Sequence, residues 1–381
     1  MEPASNSTRS GPYGLVIRGP RGNLAATRMA VLQGLDAADL SDVVASEGDS
    51  GADGDFIRLW LRNPERAAWM PGDDTLGLCE RLRLDTLGKP ADLKREIVLA
   101  LLACPQPVEF PGIDELVSAV RMRGHIVDAA RKTRLAFETA SAERPDDCWT
   151  YVRGKGFIIL PGVSLIAALE KATQPEISGA LYSFSCYRAS EYVILLAVAR
   201  ELARSNPTLF ERLQSLWASR AIMSGEFHEV FLREQGSIDE PLPPGYYVPG
   251  DRVWFRNPDE ASSEASGFEG SWVIYLGSGL FANFWKRDQP FSVTAKCLEL
   301  YHWRHATYLD DEGDLRIDEA KVAALVEATR QDPAEVARIV ALMWRYREPK
   351  GVYRDGGCID TTREFPRWVR PGTADLELPA Q

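Results

Sequence analysis

The sequence predicts an α+β fold, and three observations carry the prediction. Helical periodicity dominates from about Asp92 to Arg204. Short aromatic and β-branched runs follow between Asp251 and Trp285. Helical periodicity then returns from Asp318 to Arg347. Helices, then strands, then helices point to segregated elements rather than a doubly wound sheet.

The first helix is expected over Asp92–Cys104, with Leu93, Ile97, Ala100 and Leu101 on one face and Pro105 and Pro107 as its stop. A long helix follows with core spacing at Ile113, Leu116, Val117 and Val120, running on through Ile126 and Ala130. A third begins after Pro161 and Gly162, with Ser164 as its N-cap. The segment SFSCYRASEYVILLAVARELAR starts polar and becomes an apolar helix, which places Cys186 at or near a helix N-terminus. DRVWFRNP, SWVIYLG and LFANFW read as antiparallel strands separated by Pro, Asp and Gly. DEAKVAALVEAT and DPAEVARIVALMWRYR are helices, the second with Asp332 as N-cap, Pro333 in the first turn and Glu335 closing a capping box.

Ahead of these elements, Met29 to Ile57 carries no Lys or Arg, and within it DAADLSDVVASEGDSGADGD, Asp36 to Asp55, is acidic and rich in Gly, Ser and Ala. That stretch reads as flexible, because it buries too little apolar surface to offset the entropy of ordering. The aromatic stretch FIRLWLRNPERAAWM is expected to dock on the main body. After Lys350 the chain is rich in Gly, Pro and charge and reads as a loose tail. The expected division is an acidic, partly disordered extension over 1–91, a domain over 92–345 and a tail over 346–381.

Composition excludes several classes. The 381 residues carry a formal charge of −11, a balance that repels phosphate backbones and argues against a nucleic-acid partner. No apolar run reaches membrane-spanning length, and Met1–Arg28 lacks the apolar centre of a secretory signal. Its arginines hint only weakly at a transit peptide, and the expectation is a soluble, cytoplasmic protein. The six cysteines, Cys79, Cys104, Cys148, Cys186, Cys297 and Cys358, are far apart with no CxxC pair. That pattern fits free thiols better than a disulfide scaffold or a structural zinc site.

Of the six, Cys186 is placed for chemistry. A thiol at a helix N-terminus faces unpaired backbone N–H groups and the positive end of the dipole, and both favour the thiolate. The same N–H groups can hold a developing oxyanion. Arg188 is expected to add positive charge nearby. The competing reading is a buried cysteine acting as a small hydrophobe.

The segment YSFSCYRASEYVILLA resembles the nucleophile segment of the small bacterial, spore-associated protein-glutamine gamma-glutamyltransferases. Other blocks resemble the same family in the same order. They are REIVLALLACPQPVEFPGIDELVSAV, GDRVWFRNPD, GSWVIYLGSGLFANFW and EATRQDPAEVARIV, and together the likeness spans roughly Asp92 to Arg345. It implies a transglutaminase-like domain with a papain-like core. The reaction implied is attack of the Cys186 thiolate on a glutamine side-chain amide, release of ammonia, and transfer of the acyl group to a lysine amine or water. No calcium or other cofactor is implied, and the partners are protein glutamine and lysine side chains.

The sequence departs from the family where proton transfer is needed. The family carries a Glu before its VI-L-G run, a His after Phe-Ala, and an acid before the cysteine. The matching positions here are Ser271, Asn283 and Ser185. A thiol attacking an unactivated amide needs a base and an acid, and histidine serves as both near neutral pH. Asparagine orients a group but transfers no proton. Glu269, two residues before Ser271 and on the same strand face, is a candidate replacement; the alternative is a solvated turn carboxylate. His302 and His305, three apart in LYHWRHATY, are candidates for a displaced base or a metal pair, without an evident third ligand. His228 resembles a family strand residue outside the catalytic set, and His125 reads as an ordinary helix histidine. The Gly154–Gly156 turn lacks phosphate-loop spacing.

Two functions follow. One is calcium-independent acyl transfer or deamidation through Cys186, with Asn283, Ser271 and Glu269 around it. The other is a degenerate pseudoenzyme that keeps the groove as a binding or scaffold module. A thiol hydrolase acting on another amide or ester is a third, weaker option.

Overall fold

The computed structural model describes residues 13–20, 22–51, 54–137, 142–348 and 356–380. Its α+β class is as expected, built on two sheets with helices between and around them.

The first sheet overturns the expectation of flexibility over Asp36–Asp55. Strands Leu15–Gly19, Val44–Gly51 and Gly54–Leu61 pair antiparallel, and Val108–Phe110 joins Leu15–Gly19 in parallel. Helix Leu24–Ala37 fills the connection. The ordering signal is the alternation in GDFIRLWL, where Asp55, Ile57, Leu59 and Leu61 are buried and the residues between them are not. Its polar neighbour VASEGDSG needs no apolar face, because it is an edge strand held by backbone pairing with most side chains in solvent. The rest of the expected disorder, residues 1–12, lies outside the described residues.

Helices Pro90–Leu102, Ile113–Lys132 and Cys186–Ser205 form the middle of the molecule. Every residue from Ala189 to Ala199 is buried, as expected for a helix apolar all round and enclosed by its neighbours. Between Leu24–Ala37, Pro90–Leu102 and Ile113–Lys132 lies a cavity of about 650 Å³, lined by apolar side chains such as Val31, Leu35, Leu93, Ile97 and Val120.

The second sheet has the order Leu280–Phe281, Gly270–Gly277, Arg252–Arg256, Arg363–Pro366, Leu232–Gln235, all antiparallel. The Cys186 helix packs on its Gly270–Gly277 strand, the papain-like arrangement of a helix-start cysteine against a small antiparallel sheet. Arg363–Pro366 comes from the stretch read as a loose tail, so that reading is corrected. Its charges are neutralised inside: the Arg363 guanidinium donates to the carbonyls of Asp360, Thr362 and Tyr246, and Glu364 accepts from Arg252. Beyond it, Trp368 and Val369 enter the core.

The expected strand LFANFW stops after Phe281, because the Asn283 side chain accepts from the Lys286 N–H and turns the chain. Helices Val293–Trp303, Glu319–Arg330 and Pro333–Met343 close the far side. Asp332 caps the last through the N–H groups of Ala334 and Glu335, while Glu335 binds Arg338 instead of completing a capping box. Ser164 sits at its N-cap without a side-chain bond, and Gln214 accepts from the Leu165 N–H in its place. All six cysteines are free, as read. Cys297 and Cys358 are fully buried with their sulfurs 3.9 Å apart. Among the described residues no helix is long and apolar enough to cross a membrane.

Candidate active site

Ser185 is the N-cap of the central helix, its Oγ accepting from the Arg188 N–H at 3.3 Å, and Cys186 is the first helical residue. The cysteine is half-buried and opens into a cavity of about 150 Å³. The strand Gly270–Gly277 supplies one wall and the turn after Phe281 a second. Helix Val293–Trp303 closes the cavity with Lys296, Glu299 and Trp303. Burial pushes the Cys186 thiol above its ordinary range. Backbone amides of Trp272 and Tyr187 and the positive charge of Lys296 act in the opposite direction, and the carboxylate of Glu269 adds to the upward push. Two backbone amides at one sulfur form the arrangement that can hold an oxyanion.

Ser271 and Asn283 both line this cavity with Cys186. Ser271 lies opposite Phe255 in the sheet. The Asn283 amide also donates to the Gln289 carbonyl at 3.3 Å, so its side chain is held by its own turn. Glu269 does not line the cavity. It is exposed, with its carboxylate accepting from the Gly267 N–H at 3.4 Å, and only its charge reaches the sulfur.

Arg188 does not serve as expected. Its guanidinium turns to the buried Glu191 and to Ser224 Oγ. The cation facing the cysteine is Lys296, which sequence reasoning missed. A signal was present, since Val293, Lys296, Leu300 and Trp303 share one buried stripe and Lys296 is the charged residue in it.

None of the four histidines lines the cavity. His302 is buried with Nε2 2.8 Å from Thr329 Oγ1, and His305 lies just past the helix end with ring centres 5.7 Å apart. Burial lowers both below the usual imidazole range. His125 is on helix Ile113–Lys132 and is likewise lowered by burial. His228 lies on helix Gly225–Phe231 rather than on a strand, with Nδ1 2.9 Å from Glu364 Oε1. That bond raises its pKa.

Beneath the cavity, buried Arg252 lies over the Trp272 ring at 3.9 Å. It donates to Glu364 at 2.8 Å and to Ser190 Oγ at 2.9 Å. Trp254 stacks on Trp272 with centroids 5.4 Å apart. The strand segment that presents an amide to Cys186 is therefore held from both sides.

The pattern described as TGL, protein-glutamine gamma-glutamyltransferase, matches residues 80–377. The chain belongs to this family. The matched span runs past Asp92–Arg345 at both ends and takes in the Arg363–Pro366 strand. The solved structure of a transglutaminase from Geobacillus stearothermophilus, without its C-terminal extension, is similar over 57% of this chain and 98% of its own length. The identity is 19% and the TM-score 0.39. Among curated proteins none matches. The transglutaminase family acts on protein glutamine, and the cavity of about 150 Å³ contains the free, half-buried thiol of Cys186.

Proposed function

We propose that this chain catalyses calcium-independent acyl transfer from protein glutamine through a Cys186 thioester, to a primary amine or to water. The supporting observation is the placement of Cys186. It is the first residue of the central helix, half-buried in a cavity, with backbone amides of Tyr187 and Trp272 and the Lys296 charge directed at its sulfur. A glutamine side chain entering the cavity meets the thiol at its carbonyl carbon, and the two amides receive the negative charge that develops on its oxygen. Asn283 and Ser271, on the facing wall, orient the amide by hydrogen bonding.

One observation favours the second reading, a catalytically degenerate binding module. Among the described residues, no histidine lines the cavity, and the Asn283 amide is engaged by its own turn. The two readings separate in one assay. Incorporation of a fluorescent primary amine into a glutamine-rich protein, without calcium, is followed for wild type and Cys186→Ala, alongside ammonia release. Incorporation or ammonia release that vanishes in the variant is the expected result. Folded wild-type protein producing neither would overturn the enzymatic reading in favour of the binding module.

A further inference from the structure

Resting on that reading of Cys186, we infer that Lys296, held by Glu299, is the proton carrier of the acyl transfer, in the place where the family resemblance implies a histidine. Lys296 is 4% exposed, on the helix Val293–Trp303, and lines the same cavity as the thiol. Its Nζ lies 2.9 Å from Glu299 Oε2 and 4.4 Å from the Phe291 ring centroid, with Trp303 on its other side at 5.8 Å. The ammonium is thus fixed on an aromatic surface rather than free to swing into solvent. Glu299 is 39% exposed and connects it to water.

Burying the Lys296 charge is a poor stabilising device, because its desolvation offsets most of the attraction to Glu299. A buried lysine facing a nucleophile has a chemical use, since its proton can be given up and recovered. From the form in which the thiol has lost its proton to solvent, the Cys186 thiolate adds to the glutamine carbonyl carbon, and the C–N bond breaks as the Lys296 ammonium gives its proton to the departing nitrogen. Ammonia leaves, a thioester forms, and Lys296 is left as a neutral amine. That amine then takes a proton from the incoming primary amine or water as it attacks the thioester. The new acyl bond forms, the C–S bond breaks, and the thiolate and the ammonium are both restored.

Other charged groups surround the sulfur. Lys286 and Glu319 stand at the exposed rim, Glu269 in the turn before the wall strand, Arg188 and Glu191 on the cysteine's own helix, and Arg252 under Trp272. Each is either exposed or engaged with an opposite charge or an aromatic ring. Lys296 alone combines burial with a place in the cavity wall.

The test follows alkylation of Cys186 by iodoacetamide against pH, read on its own peptide by mass spectrometry, beside amine incorporation. Lys296→Met should move the alkylation midpoint up by about one pH unit and lower turnover by at least about a hundredfold. Lys296→Arg should hold the midpoint near wild type yet lose turnover, because arginine keeps its proton. Glu299→Gln, at a partly exposed site that tolerates change, should move the midpoint down, opposite to Lys296→Met. Thermal unfolding checks that each variant is folded. An unchanged midpoint and unchanged turnover in Lys296→Met would overturn the inference. Loss of the parent reading looks different: wild type forms no thioester, while the alkylation midpoints still report whether Lys296 stabilises the thiolate.

Discussion

Two cavities of the molecule have opposite kinds of wall. The one under the N-terminal sheet is about 650 Å³, apolar, and bordered by Gly34 and Gly124, where an added Cβ would meet nothing within 4 Å. The one at Cys186 is about 150 Å³ and bordered by Gly270, where an added Cβ would stand 2.5 Å from the Phe255 carbonyl oxygen. Its wall is also fixed from below by Arg252 and Trp254. Volume and chemistry therefore point in different directions: the larger space has slack walls, and the smaller one has walls that leave no room to relax. A site that must hold reacting atoms within fractions of an ångström belongs to the second kind.

Four substitutions can break or sharpen this contrast. Arg252→Leu should do the most damage, since it leaves the Glu364 carboxylate in the interior without its guanidinium, a loss of about 3 kcal/mol on the scale of broken buried pairs. Urea denaturation reads it, and a loss below about 1 kcal/mol would show the floor of the small cavity to be less constrained than its geometry implies. Gly270→Ala comes next, at roughly 2 kcal/mol, because backbone must move to admit the new carbon. It should also slow alkylation of Cys186. Gly124→Ala has the opposite sign. The position is inside a helix and faces open space, so the variant should gain about 1 kcal/mol and leave Cys186 alkylation untouched. A destabilised Gly124→Ala would mean that the large cavity is not slack.

The smallest effect is pH-dependent. The Glu364 bond raises the His228 pKa in the folded protein. A raised folded value means the stabilisation is full below the unfolded value of about 6.5 and is lost as pH rises through the folded one. The pair is partly exposed, with His228 at 35%, so screening limits it to on the order of 0.5 kcal/mol. His228→Ala should therefore cost stability near pH 5.5 and almost none near pH 9, measured by thermal unfolding at both. An equal cost at both would assign the loss to packing instead.

The small cavity was half legible in the sequence. A polar start running into an apolar helix is enough to place Cys186 at an N-terminus, and short aromatic runs are enough to place the Arg252–Arg256 and Gly270–Gly277 strands. Ser271 and Asn283 reach the cavity from positions that a family pattern can mark. Lys296 and Glu299 come from a different helix, and only packing brings them to the sulfur. The N-terminal sheet was hidden for another reason. Its edge strand is acidic and glycine-rich, so composition argues for disorder, while the period-two alternation of the next strand, over only eight residues, argues for a sheet. Arg363–Pro366 was hidden by its charges, which find their partners, backbone carbonyls for Arg363 and Arg252 for Glu364, only in the folded state.

That last strand has a consequence for how the protein is made. It lies between Arg252–Arg256 and Leu232–Gln235, the second of which has no other partner in the sheet, and it brings Glu364 to Arg252. Synthesis runs from the N-terminus, so the ribosome releases the thiol long before it releases the strand that completes the floor beneath it. A nascent chain therefore carries Cys186 without the finished floor of its cavity until residues up to Pro366 have emerged.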